Sequence, residues 1–240
     1  MKIIGIEGSS LTASVAIFED GILIGEYTTN HKKTHSVTLL PMLEELKKMC
    51  ELDLATVDAI AVSAGPGSFT GLRIAASAAK GIALALNKPI VPVPTVDGLA
   101  YNMWGHDRLV CPIMDARRGQ TYTGLYEFVS DGEGYAMNVI VGQCAVAIEE
   151  IVEKINEIGK PVTFLGDGVP VFKEKIAEIC KVEVGYAPAF ANRQRAAVVA
   201  TLGQIYFEEG KVQTATEHAP DYLRLSQAER ERMEQSGANS

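Results

Sequence analysis

Apolar and polar positions along this chain fall into short alternating or continuous runs, separated by stretches of helical period. Residues 2–6 and 11–18 read as strands, the second with Ala13, Val15 and Ile17 on one face, and residues 21–28 as a third. The Glu19-Asp20-Gly21 step between the last two is a hairpin signal. Helical spacing then appears at Leu39, Leu43, Leu46 and Cys50, with Leu40, Met42 and Met49 on adjoining faces. Ser36 is a candidate cap. Pro41 predicts a helix start or a kink near it, because inside a helix it removes one backbone hydrogen bond. A strand at 57–64, a glycine turn, a helix at 71–87 and a short strand at 89–93 complete this block.

After a less regular stretch through Trp104, the order begins again. Residues 109–115 and 121–128 form a predicted hairpin, with a third strand at 139–141. A helix at 147–158, a strand at 162–165, a helix at 173–180, a short strand at 182–186 and a long helix at 196–209 follow. Three strands, a helix, a strand and a helix therefore occur once in each half. That order predicts a duplicated α/β unit with mixed sheets, since a doubly wound sheet would alternate strand and helix from the start. The expected division is residues 1–103, residues 104–225, and a polar, flexible tail at 226–240.

Composition narrows the function classes. Of 240 residues, 47% are hydrophobic and 22% charged, which is ordinary for a folded globular chain. The net charge of −8 argues against independent nucleic-acid binding, which draws on Lys and Arg to neutralise phosphates. Cys50, Cys111, Cys144 and Cys180 are far apart, with no Cys-x-x-Cys pair, and read as buried thiols in a reducing compartment rather than a zinc site. Glu7 interrupts the N-terminal apolar run, and Lys80 breaks the longest one, residues 74–86, which is too short for a bilayer. A soluble, cytoplasmic protein without a membrane partner is expected.

The densest chemical signal is Gly65-Pro66-Gly67-Ser68-Phe69-Thr70-Gly71-Leu72-Arg73, between a strand and a helix. Unpaired N–H groups and the helix dipole favour an anion at such a turn. It lacks the closing Gly-Lys-Ser/Thr of a P-loop and the spacing of a dinucleotide fingerprint. Glu7-Gly8-Ser9-Ser10 is either a plain hairpin turn or a carboxylate-and-amide site for a metal-bound phosphate. Asp115-Ala116-Arg117-Arg118 stands in the same place in the second half, and Gly166-Asp167-Gly168 is a meagre second phosphate-loop candidate. His31 and His35 are four apart, but Lys32 and Lys33 would repel a cation, so no metal is expected there. Helix 71–87 is small on nearly every side, through Ala75, Ala76, Ala78, Ala79, Gly81, Ala83 and Ala85. Together with the methionines of the preceding helix, this suits either a helix buried in one subunit or a face for another chain. The residues alone leave that choice open. No Ser-His-Asp or Cys-His arrangement supports covalent catalysis.

Ile6-Glu7-Gly8-Ser9-Ser10, the segment from Thr34-His35-Ser36 to Leu40-Pro41-Met42, the 65–73 run, Asp115-Ala116-Arg117 and Pro220-Asp221-Tyr222-Leu223-Arg224 resemble the bacterial TsaB (YeaZ) family over residues 1 to about 225. The resemblance implies an α/β protein of the actin/Hsp70/sugar-kinase-like (ASKHA) fold, with two duplicated ribonuclease-H-like subdomains and mixed sheets. It implies a non-catalytic dimerisation subunit of the complex that transfers threonylcarbamoyl from threonylcarbamoyl-AMP to N6 of the tRNA adenosine beside the anticodon. The implied partners are a catalytic TsaD-type paralogue, a TsaE-type ATPase and, when alone, a second copy; tRNA is met only through the complex. The implied partner face, on helices 37–50 and 71–87, comprises His35, Leu39, Met42, Leu43, Leu46, Ile74, Ala75, Ala78 and Ile82. Glu7, Ser9, Gly67 and Ser68 would be a vestigial nucleotide loop. No cofactor is expected on this subunit alone, with room for ATP and Mg²⁺ in the assembled complex. Thr95 and Leu99 occupy the positions of the paralogue's metal-binding His-x3-His pair and cannot replace it. Glu7-Gly8 also departs from the Asp common in this fold and the Thr that often follows it in this family. The alternative is a free-standing ATP-dependent small-molecule kinase of the same fold.

Overall fold

Two five-stranded mixed sheets form the frame of the computed structural model, which describes residues 1–31 and 33–223. The first contains β1 (Lys2–Glu7), β2 (Ala13–Glu19), β3 (Ile22–Thr29), β4 (Ala59–Gly65) and β5 (Ile90–Pro94), in the order β3-β2-β1-β4-β5. β1 pairs antiparallel with β2 and parallel with β4, so Ile6 lies opposite both Val15 and Val62. One face is covered by α1 (Leu39–Met49) and α2 (Phe69–Leu86), which share a dry core with Ile4, Val15, Ile60 and Val62. Pro41 is the third residue of α1, where its missing N–H has no helical acceptor to lose. Ser36 is not the cap: it lies in a 3-10 turn, His35–Val37, and Thr38 holds the cap position.

The second sheet repeats the arrangement with β6 (Leu109–Asp115), β7 (Gln120–Ser130), β8 (Tyr135–Ala147), β9 (Val162–Leu165) and β10 (Val184–Tyr186), in the order β10-β9-β6-β7-β8. α4 (Ile148–Ile158) and α5 (Val169–Ile179) cover one face. The duplicated α/β unit with mixed sheets expected from element order is present. β8 is far longer than the predicted 139–141, because pairing to β7 extends it through residues without clear alternation. The stretch left irregular after β5 contains a short helix, α3 (Thr95–Tyr101). It is buried on nearly all sides and so shows no amphipathic period. Val96, Leu99 and Ala100 of α3 pack with Val110, Met114, Tyr126 and Phe128, forming a core between the two units.

One boundary differs from expectation. α6 (Ala196–Glu208) lies on the back of the first sheet, where Val199, Ala200 and Leu202 meet Ile3, Ala61 and Val91. The chain therefore returns to the first unit after residue 195, and the second unit does not extend to 225. The expected tail at 226–240 lies outside the described residues. α2 is also longer than the 74–86 apolar run. By length and apolarity its 18 residues could cross a membrane, yet Leu72, Ala75, Ala76, Ala79 and Ala83 are committed to the core.

Candidate functional site

The strand ends of both units face one another across a cleft of 580 Å³. The first unit contributes Ser9, Ser10, His35, Gly67 and Ser68, and the second contributes Asp115, Arg117, Tyr122 and Asp167. Sequence candidates from both halves thus meet in one place, as duplication predicts. Asp115 accepts hydrogen bonds from the Arg117 backbone N–H at 2.8 Å and from its guanidinium at 3.1 Å. Asp167 accepts from the Asp115 backbone N–H at 3.3 Å. Burial raises the Asp167 pKa, and nearby Arg193 partly opposes that shift.

The amides that would cradle a phosphate face protein acceptors instead. Ser68 N–H donates to the Ser9 carbonyl at 2.6 Å, and Gly71 N–H donates to Ser68 Oγ, the N-cap of α2. Gly8 N–H donates to Ser63 Oγ, and Ser9 N–H donates to Glu7 Oε1 at 2.6 Å. Glu7 is fully buried, does not line the cleft, and also accepts from Ser9 Oγ at 2.5 Å. Desolvation pushes its pKa up from 4.5 to about 7, against those hydrogen bonds. The glycines explain why the turn was legible: a Cβ on Gly67 would sit 2.2 Å from the Ser9 carbonyl oxygen, and one on Gly71 would sit 2.1 Å from that of Gly8. These residues do not fit a metal-bound phosphate. The glycines serve the close approach of turn and hairpin backbones.

A C-terminal strap, which no periodicity signals, closes over the same turn. Gln213 pairs with Ile90, Lys80 Nζ donates to the His218 carbonyl at 2.8 Å, and Asp221 N–H donates to the Ala64 carbonyl at 2.6 Å. Tyr222 lies against Phe69, ring centroids 4.7 Å apart, and its phenol oxygen accepts from Arg73 Nε at 3.1 Å. His218 is buried and donates through Nδ1 to Gln213 Oε1, while its Nε2 has no partner among the described residues. Burial and Lys80 lower its pKa. Between the two units Asp97 on α3 accepts from the hydroxyls of Tyr126 and Tyr206, at 2.6 and 3.1 Å, which ties α3 to both β7 and α6.

The positions matched to a metal pair are unsuited to one. Thr95 Oγ1 accepts from Gly65 N–H, and Leu99 lies in the core between the units. His35 bonds the Thr12 carbonyl through Nε2 at 2.9 Å, and His31 is exposed. No cluster of three metal-ligating side chains occurs among the described residues. The cysteines there are free thiols; burial pushes Cys111 up to about 12.

The nine implied interface residues divide into two groups. Leu39, Leu43, Leu46 and Ala75 point inward and belong to the core of the first unit, so they cannot offer free surface. His35, Met42, Ile74, Ala78 and Ile82 are half-buried; Met42, Ile74 and Ile82 still pack against that core, and His35, Ile74 and Ala78 border the space between the helices. Val37, Leu40, Met49 and Leu84 are 64%, 51%, 68% and 66% exposed, but they do not share one face: Leu40 borders α2, Met49 lies at Tyr27 and Leu84 beside residues 212–217. Between the two helices a groove of 380 Å³ is lined by His35, Leu39, Leu40, Arg73, Ile74 and Ala78.

Two five-stranded mixed sheets of matching order, joined at a cleft, define a duplicated α/β protein. YeaZ from Pseudomonas aeruginosa shares the fold, with a TM-score of 0.77 at 24% identity over 92% of this chain and 99% of that one. A family model described as "TsaD: tRNA N6-adenosine threonylcarbamoyltransferase" matches residues 23–232. The tRNA threonylcarbamoyladenosine biosynthesis protein TsaB of Bacillus subtilis is 35% identical over 231 residues, covering 95% of this chain and 96% of that one. The TsaB protein of Buchnera aphidicola subsp. Schizaphis graminum is 28% identical over 172 residues, 69% and 78% of the two chains. The chain belongs to the TsaB (YeaZ) family of tRNA threonylcarbamoyladenosine biosynthesis proteins.

Proposed function

We propose that this chain is the non-catalytic assembly subunit of the complex that moves threonylcarbamoyl from threonylcarbamoyl-AMP to N6 of the tRNA adenosine beside the anticodon. It presents the outer face of α1 and α2 to a TsaD-type catalytic chain, and pairs with a second copy when alone. A TsaE-type ATPase joins the assembly, tRNA is contacted through the complex, and the work takes place in the cytoplasm. The observation that carries this reading is the open, largely apolar groove between α1 and α2, where exposed Leu40 stands beside Ile74 and Ala78 on a helix pair whose inner side already fills the core. A TsaD-type chain has a related fold, since the family model so described covers most of this sequence, and so has a comparable helix pair to offer.

The same reading assigns no transfer chemistry to the cleft. Its phosphate-facing amides are engaged by protein carbonyls and side chains, and Thr95 and Leu99 supply no metal ligands. ATP with Mg²⁺ is accordingly assigned to the assembled complex and not to this subunit. The test is reconstitution: the purified chain leaves tRNA unmodified, and multi-turnover modification requires it together with TsaD- and TsaE-type proteins and the adenylate. Full multi-turnover activity after omission of this chain overturns the proposal.

A further inference from the structure

The groove between α1 and α2 has a charged rim that is built before any partner arrives. Arg73 stands at its edge, with its guanidinium 3.9 Å from the Phe69 ring centroid and its Nε held by the Tyr222 phenol oxygen. It is exposed, and no carboxylate pairs with it among the described residues. A long side chain normally loses rotamer freedom when an interface forms. Here the strap has already removed much of that freedom, so the cost of ordering falls on folding and not on association. A fixed guanidinium at the lip of an apolar groove suits a helix that carries an apolar side chain with a carboxylate nearby on the same face.

This chain's own α1 has that pattern. Leu40 is half exposed at the groove, and Glu44 lies one turn further along the helix, its side chain 54% exposed. Among the described residues Glu44 pairs with Lys48 at 3.4 Å and Lys47 at 4.0 Å, exposed pairs of the kind that exchange readily. We infer that the groove receives Leu40 of a second copy of this chain, with that copy's Glu44 against Arg73, and that Tyr222 is the positioning residue that holds Arg73 ready. An isologous pair makes each contact twice, so one groove and one acid per chain suffice. The inference rests on the α1–α2 face being an assembly surface, and adds to it the residues that set register and self-recognition.

Sedimentation equilibrium on the full chain reads the dimer constant. Arg73→Glu and Glu44→Arg should each weaken self-association by about tenfold or more, the scale of a lost charge-assisted hydrogen bond. The double charge swap should return to within about threefold of the parent, because an isologous contact is restored by exchange within one chain. Tyr222→Phe keeps the ring on Phe69, and should weaken the dimer in the parent but have no effect beside Arg73→Ala, a result that a merely structural role would not give. Failure of the double swap to rescue, or neutral single variants, overturns the inference. Leu40→Asp separates the two levels. If it abolishes the dimer while the charge variants do nothing, the face stands and the Arg73–Glu44 pairing falls; if it has no effect, or the parent is monomeric throughout, the second-copy assignment falls with it.

Discussion

The same substitution at two glycines of α2 should have opposite consequences. Helix propensity alone predicts that Gly71→Ala and Gly81→Ala each stabilise the chain, by up to about 1 kcal/mol, because glycine is costly inside a helix. Gly81 is exposed, and an added Cβ there meets no atom within 4 Å, so the full gain is expected. At Gly71 the Cβ would lie 2.1 Å from the Gly8 carbonyl oxygen and 3.4 Å from its carbon, where ordinary contact begins at 3.4 Å. The obstacle is backbone, held in place by the Gly8-to-Ser63 and Ser68-to-Ser9 hydrogen bonds, so it must move by about an ångström and carry the turn with it. Overpacking of this kind costs about 1–3 kcal/mol, and a backbone obstacle belongs at the upper end. Set against the propensity gain, Gly71→Ala should destabilise by about 2 kcal/mol and Gly81→Ala stabilise by about 1 kcal/mol. For a chain of this size these correspond to a fall of roughly 4–8 °C and a rise of roughly 2–4 °C in melting temperature. Urea denaturation followed by circular dichroism measures both. Two stabilised variants would refute the claim that the glycine turn exists for close backbone approach.

Two buried ionisable groups should give pH dependences of opposite sign. Glu7 has a folded pKa raised from 4.5 to about 7, so stability is full below 4.5 and lost as pH rises to about 7; relative to Glu7→Gln the parent should lose about 3 kcal/mol across that window. A parent and variant with parallel stability–pH curves would count against a desolvated Glu7. His218 has a lowered folded pKa, so its contribution is complete above 6.5 and is lost as pH falls below it; His218→Phe should show a flatter acid limb, and an unchanged limb would exclude the strap as its source. Leu43→Glu should unfold the monomer by burying a charge in the first core, whereas Leu40→Glu should leave its melting curve intact and impair assembly; equal stability of both would contradict the inward and outward division of α1. Tyr126→Phe should cost about 2 kcal/mol by removing a donor from buried Asp97, and a neutral result in denaturant melts would show that the hydroxyl does not brace the two units.

The duplicated order of strands and helices was legible because the outer helices bury one face, which leaves a helical period, while the central strands, buried on both faces, read as short continuous apolar runs. α3 and α6 show where that signal ends. α3 is enclosed between units and α6 is apolar all round, so neither has a polar face to mark its orientation, and nothing local says which sheet α6 will cover. The partner-face residues expose a related ambiguity. When both sides of α1 are apolar, spacing groups Leu39, Leu43 and Leu46 correctly as one stripe but cannot say that this stripe faces inward while Leu40 and Met49 face out. The cleft was legible in its parts, since Ser9, Ser68, Asp115 and Asp167 do converge. The engagement of its turn amides by the hairpin was not, because that depends on contacts between segments some sixty residues apart.

The strap completes the account of the glycine turn. A Cβ on Gly65, whose φ is +114°, would fall 2.3 Å from the Asp221 carbonyl oxygen, so this glycine is required by the strap on one side as Gly67 and Gly71 are by the hairpin on the other. The turn is thus enclosed between two pieces of backbone, and its cap, Ser68, starts α2 at an angle set by both. Ile74, Ala78 and Ile82 follow from that start at helical spacing along the outer face, with Arg73 at the lip of the groove. A shift of the hairpin or the strap would therefore be transmitted to the partner face through α2 as a rigid rod. Gly65→Ala should on this argument weaken assembly as well as stability, and its partner affinity should recover no further when the variant is stabilised by Gly81→Ala. Restoration of full affinity by that second change would mean that the turn contributes stability alone and does not set the position of the helix.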